Sequence, residues 1–183
     1  MPLYITSANP TPVSVEALLA GRDKRRARQQ AWLTRYGLPL VSFTVLAPGA
    51  VKDSTLTRRI FNRGLRALRA RLAEAGWTIR QQRCAAPATG AEGLLAVDAP
   101  ARELKRAVIA LEEASPLGRL WDFDVLTPQG EMLSRRDFGL PARSCLICQR
   151  DAAMCARERA HSSAELLRLM AARLDGADEM VTR

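Results

Sequence analysis

Between residues 38 and 126 the apolar side chains alternate between two repeats. One is the two-residue repeat of a strand, the other the roughly 3.6-residue repeat of a helix. The order is strand, helix, strand, strand, helix, strand. Leu38 to Ala47 is rich in Val, Phe and Leu and stops at Pro48-Gly49. From Thr55 to Ala75, Phe61, Leu65, Leu68 and Leu72 fall on one side of a helix and Arg59, Arg63 and Arg66 on another, with Gly76 closing it. Trp77 to Cys84 and Gly93 to Asp98 read as strands. Pro100 opens a helix to Ala114, stopped by Ser115-Pro116. Leu120 to Leu126 and Glu131 to Arg135 then form a hairpin about Thr127-Pro128-Gln129-Gly130.

This succession predicts an α+β fold with a ferredoxin-like split β-α-β core and an added hairpin. An N-terminal helix is expected from Val15 to Tyr36, capped by Ser14 and ended by Gly37. Residues 1–12, with Pro2, Pro10 and Pro12, read as a loose lead-in. With 183 residues, the chain suits one domain, 1–183, carrying a Cys/His-rich helical subregion at 145–174. No apolar run is long enough to span a membrane and no export leader is visible, so a cytoplasmic protein is expected.

The strand at Trp121-Asp122-Phe123-Asp124-Val125 alternates strictly, sending the aromatic residues to one face and both carboxylates to the other. Their Cβ atoms would lie roughly 7 Å apart, close enough to share Mg²⁺, a hard cation that leaves room for substrate phosphates. An acidic, solvated strand face is the alternative. Arg119, just before the strand, adds a fork of donors suited to phosphate. A second candidate anion site is Lys52-Asp53-Ser54 at the start of the helix from Thr55, with Arg58 and Arg59 on its first turns. Ser54, Thr55 or Asp53 acting only as a helix cap is the alternative there. Charge agrees with an anionic ligand: the formal net charge is +9, carried by 25 Arg and 3 Lys.

Cys145, Cys148, Cys155 and His161 form C-x₂-C-x₆-C-x₅-H, a set zinc accepts with all four positions filled. Such a site would be structural, and reduced cytosolic thiols are the alternative. Ser162 and Glu165 make a capping box for a last helix, with Leu166, Leu167, Met170 and Leu174 as its packing side.

The segment Gly118 to Val125 resembles the signature of the citrate lyase holo-acyl-carrier-protein synthase family, the apo-citrate lyase phosphoribosyl-dephospho-CoA transferases. The similarity extends through Pro39 to Phe43, Pro48 to Ser54, Arg58 to Asn62, Leu133 to Asp137 and Cys145 to Cys148. The resemblance implies that a triphosphoribosyl-dephospho-CoA donates its phosphoribosyl-dephospho-CoA unit to a serine of the apo acyl carrier subunit of citrate lyase, releasing pyrophosphate. The roles given to Asp122, Asp124, Arg119, Lys52 and Arg58 in such a step are physical assignments. An acidic carrier would be steered by the basic run Arg22 to Arg28 or by the Arg59, Arg63, Arg66 face. No nucleic acid or membrane partner is expected. A non-catalytic RNA-binding module and a structural adaptor are the competing functions.

Overall fold

The computed structural model describes residues 1–6 and 10–181, which divide into two compact units, Met1–Leu133 and Ser134–Arg183. The first holds α1 (Val15–Tyr36), β1 (Leu40–Val45), α2 (Thr55–Glu74), β2 (Thr78–Ala85), β3 (Glu92–Asp98), α3 (Ala101–Ala114), β4 (Trp121–Leu126) and β5 (Met132–Leu133). The second holds α4 (Ala152–Glu158) and α5 (Ser163–Val181). The strands form one open sheet in the order β2-β3-β1-β4-β5, with every neighbouring pair antiparallel. The fold is therefore α+β, with the expected order of elements from residue 40 to 126.

One face of the sheet carries the main core. Phe43 of β1 stacks on Phe61 of α2 at 4.6 Å and on Phe123 of β4 at 4.4 Å between ring centroids. All three rings are fully buried, and each burial contributes about 1.5–3 kcal/mol. Helix α2 approaches so closely that a Cβ on Gly64 would lie 2.5 Å from Phe43 Cζ. The Trp121 indole N–H, inside the same core, donates to the Ile60 carbonyl at 3.1 Å.

β5 covers only Val125 and Leu126 of β4, leaving the backbone of Phe123 to find partners elsewhere. Helix α3 supplies them from two buried side chains seven residues apart. Lys105 Nζ donates to the Phe123 carbonyl at 3.0 Å, and Glu112 Oε1 accepts from the Phe123 N–H at 3.2 Å. The strand bearing the two aspartates is thus fixed along its open edge.

Three local expectations need correction. The hairpin strand does not reach Arg135: it ends at Leu133, because Ser134 and Asp137 form a capping box that turns Arg135–Phe138 into a short 3-10 helix. The lead-in is not loose throughout, since Asn62 exchanges two 2.7 Å hydrogen bonds with the backbone of Leu3. In α5, Met170 and Leu174 are buried as expected, but Leu167 is exposed and Leu169 takes the half-buried position. The caps at Ser14, Gly37, Ser54 and Ser162 are all present. Among the described residues no helix is long and apolar enough to cross a membrane.

Candidate active site

The second face of the sheet is covered by α1, and the stripe that α1 turns toward it is unusual. A helix laid on a sheet normally presents apolar side chains at spacings of three and four. Here the stripe reads Arg22, Arg25, Arg26, Gln29, Gln30 and only then Leu33. Leu33 is the one buried residue of the helix, and it packs with Leu40, Leu94, Ala96 and Leu126 at one end of the sheet face. Toward the other end the polar part of the stripe stands over a cleft of about 510 Å³. Ser42, Asp124, Leu126, Gly130 and Met132 form the remaining walls.

Strand register explains why these residues meet. Ser42 pairs with Asp124 across β1 and β4, while Thr44 pairs with Asp122 on one side and Glu92 on the other. Alternation along β4 buries Trp121, Phe123 and Val125 and leaves Asp122 exposed and Asp124 half-buried. Both aspartates therefore leave the same strand toward the side opposite the aromatic core. Glu92, by contrast, is buried, and its carboxylate is already committed: it accepts from Arg25 Nε at 3.0 Å and from Arg28. That ion triad ties the middle of α1 to β3.

The Lys52 loop lies near the same helix. Burial, followed by repulsion from the Arg22 guanidinium, lowers the Lys52 pKa, and its amine donates to the Ala47 carbonyl at 2.6 Å. The neighbouring residues are engaged in structure. Ser54 and Thr57 form a capping box at the start of α2. Asp53 and Arg58 make a buried two-point ion pair at 2.7 and 2.6 Å, and Arg58 also donates to the Thr6 carbonyl. Hydrogen bonding to Asp53 raises the Arg58 pKa against the opposing effect of burial. Arg119 is half-buried on the short turn preceding β4, and Arg59 is half-buried on α2. The cleft is lined by Asp124, not by Asp122, Arg119 or Lys52.

In the second unit, Cys145, Cys148, Cys155 and His161 converge, with one ligand atom from each lying within 4.8 Å of all the others. Cys148 Sγ is 3.5 Å from Cys155 Sγ and 3.4 Å from His161 Nε2. A tight loop closed by Cys145 N–H to the Arg150 carbonyl presents the first pair, and α4, capped by Asp151, supplies Cys155. Arg159, in the left-handed region at φ 51°, turns the chain back toward His161. Burial works against the Cys145 thiolate, but hydrogen bonds from the Cys148 and Ile147 amides and from the neighbouring thiols outweigh it, bringing its pKa down to about 6. Three thiols and an imidazole at these distances can hold a metal ion such as zinc.

Residues 13–176 match the family model for apo-citrate lyase phosphoribosyl-dephospho-CoA transferase. A curated relative of that name from Citrobacter koseri is 60% identical over 91% of each chain, and one from Escherichia coli O139:H28 is 57% identical over the same share. The chain belongs to the apo-citrate lyase phosphoribosyl-dephospho-CoA transferase family. It is therefore a transferase, and neither the RNA-binding module nor the structural adaptor is its function.

For a phosphoribosyl-dephospho-CoA transferase the cleft has a suggestive composition, with carboxylate below and guanidinium and amide groups above. Inspection of the sequence singled out Asp122, Asp124 and the basic run but missed Ser42, Glu92, Gln29 and Gln30. Arg22 to Arg28 reads as a surface patch when taken as a run of consecutive charges. The informative signal was the helical spacing of 22, 25, 26, 29 and 30, which continues into Leu33 and so marks the side facing the protein.

Proposed function

We propose that the chain transfers a phosphoribosyl-dephospho-CoA unit from a triphosphoribosyl-dephospho-CoA donor to a serine of the apo-citrate lyase acyl carrier, on the polar face of β4. The observation that carries this reading is the joint emergence of Asp122 and Asp124 from one strand face beside a cleft roofed by arginine. In the reaction the serine oxygen forms a bond to the phosphorus nearest the ribose, and the bond to pyrophosphate breaks. The hydroxyl proton is released to solvent. Two hard carboxylate donors, one exposed and one half-buried, fit Mg²⁺. When bound, such an ion polarises the phosphoryl oxygen and offsets charge on the leaving group.

The chain's own residues do the remaining work. Lys52, with its charge disfavoured by burial and by Arg22, gains from any anion brought close to it. Arg119 offers a second cation at the entry to β4. Arg58 and Asp53, paired with each other, brace the loop carrying Lys52, and Ser54 caps α2, whose first turns carry Arg59. Cys145, Cys148, Cys155 and His161 hold structural zinc, since four protein ligands leave no open position for substrate. A cytoplasmic setting keeps these thiols reduced. The basic surface steers an acidic carrier toward the cleft.

The test is to mix the purified chain with donor, Mg²⁺ and apo acyl carrier and measure the intact mass of the carrier. A mass gain with release of pyrophosphate is expected. Asp122→Asn and Asp124→Asn should each lower kcat by about 100-fold or more, the range for loss of a group stabilising transition-state charge. Normal turnover and magnesium dependence in both variants would remove these aspartates from the mechanism.

A further inference from the structure

The three arginines over the cleft fall into two groups. Arg25, together with Arg28 outside the cleft, is held by Glu92. The side chains of Arg22 and Arg26, on the same helical stripe, have no hydrogen bond or ion pair among the described residues, and the same is true of those of Gln29 and Gln30. Arg22 also stands close enough to Lys52 for the two positive charges to oppose one another. Like charges gathered over a cavity lower the stability of the free protein unless an anion joins them. A helix held by an ion triad in its middle keeps these side chains over the cavity before any ligand arrives, which lowers the ordering cost of binding.

We propose that the cleft beneath α1 is the polyphosphate subsite for the donor, with Arg22 and Arg26 taking phosphate oxygens and Gln29 and Gln30 donating from their amides. This rests on the transferase reading above and names where its donor sits. The volume of about 510 Å³ accommodates a short phosphate chain with its attached sugar and lies within the usual range for small-ligand clefts. The opposite wall supplies Asp124, so phosphate reaches it with cations on the roof and, in the transferase reading, a metal ion below. Glu92 is a positioning residue: it pairs with both Arg25 and Arg28, offsets one of their two charges and fixes the height of the roof. Within the basic run, Arg22 and Arg26 thus serve the small donor.

The probe is inorganic tripolyphosphate with Mg²⁺, titrated calorimetrically into the full chain. The double variant Arg22→Gln, Arg26→Gln is compared with Arg66→Gln, Arg69→Gln, which removes the same charge from exposed positions on α2. Losing a charge-assisted hydrogen bond weakens binding about tenfold, so the α1 pair should weaken it by about 10- to 100-fold. The α2 pair should change it less than about twofold, as expected for screened surface charge. Equal weakening by both pairs, or none by the α1 pair, would overturn the subsite. Arg22 and Arg26 are exposed, so the fold is expected to survive; the single variant Gln29→Leu provides a second reading and should weaken binding about fivefold. Transfer to the carrier is measured on the same preparations. Loss of tripolyphosphate binding in the α1 variant with no wild-type transfer leaves the subsite standing and sinks the reaction. Wild-type transfer with donor KM unchanged in the α1 variant does the reverse.

Discussion

Gly118→Ala should be one of the most damaging single-methyl additions in this protein. A Cβ at position 118 would stand 1.8 Å from the Glu112 carbonyl oxygen and 2.5 Å from its carbon. Ordinary van der Waals separation is about 3.5 Å, so backbone must move by more than about 1.5 Å at the end of α3. A flexible side chain cannot absorb this, because the obstructing atoms are main chain. The Glu112 side chain also holds the Phe123 N–H, so the shift is transmitted to the strand bearing Asp122 and Asp124. Overpacking a tight interior costs about 1–3 kcal/mol, and a main-chain clash of this depth belongs at or beyond the upper end. For a unit of this size about 3 kcal/mol lowers Tm by roughly 6–12 °C. Urea denaturation followed by tryptophan fluorescence would report the loss as a lower midpoint at unchanged slope. Gly64→Ala provides the comparison: its Cβ would meet the ends of the Phe43 and Trp121 side chains at 2.5 and 2.8 Å, which can yield, so its cost should be smaller, about 2 kcal/mol. A Gly118→Ala midpoint within error of wild type, or above that of Gly64→Ala, would refute the reasoning.

Asp53→Ala should cost about 3–5 kcal/mol, since it leaves the buried Arg58 guanidinium without its anion, and thermal unfolding would measure it. Cys148→Ser should abolish stoichiometric zinc, read by elemental analysis, and loosen amide protection across residues 144–165 while leaving the sheet protected. Zinc retained in full by that variant would exclude Cys148 as a ligand. Glu165 is held below the usual carboxylate range by the Ser162 backbone N–H and hydroxyl. Its contribution is therefore present above the ordinary glutamate pKa and lost as pH falls through the lowered value. NMR titration should show Glu165 rising part of the way toward the ordinary value in Ser162→Ala, which removes the hydroxyl and keeps the backbone N–H; an unchanged titration would dismiss the hydroxyl as a contributor.

Much of the fold was legible because it depends on neighbours in sequence. Ser14, Gly37 and Ser54 act within one turn of the residues they cap, and the alternation from Trp121 to Val125 needs only an extended backbone. The Cys145-to-His161 cluster was legible for the same reason: its ligands lie within 17 consecutive residues. Local signals also set the limit of Asp53, which looks like a cap or anion-loop residue until its partner five positions later is found buried with it.

By itself the sequence determined the order of helices and strands from Val15 to Leu126, that Asp122 and Asp124 share a strand face, and that three thiols and an imidazole are available to a metal. Only the tertiary structure decided that the arginine and glutamine stripe of α1 lines a cleft against the sheet. That placement is made by Arg25 and Arg28 reaching Glu92, 67 and 64 residues away, and by the register that sets Ser42 beside Asp124. Periodicity fixes how a helix is striped, but the choice of what the stripe faces belongs to contacts between segments far apart in the chain. A polar stripe carries no hydrophobic signature of its own, and only its continuation into Leu33 marks its side in advance.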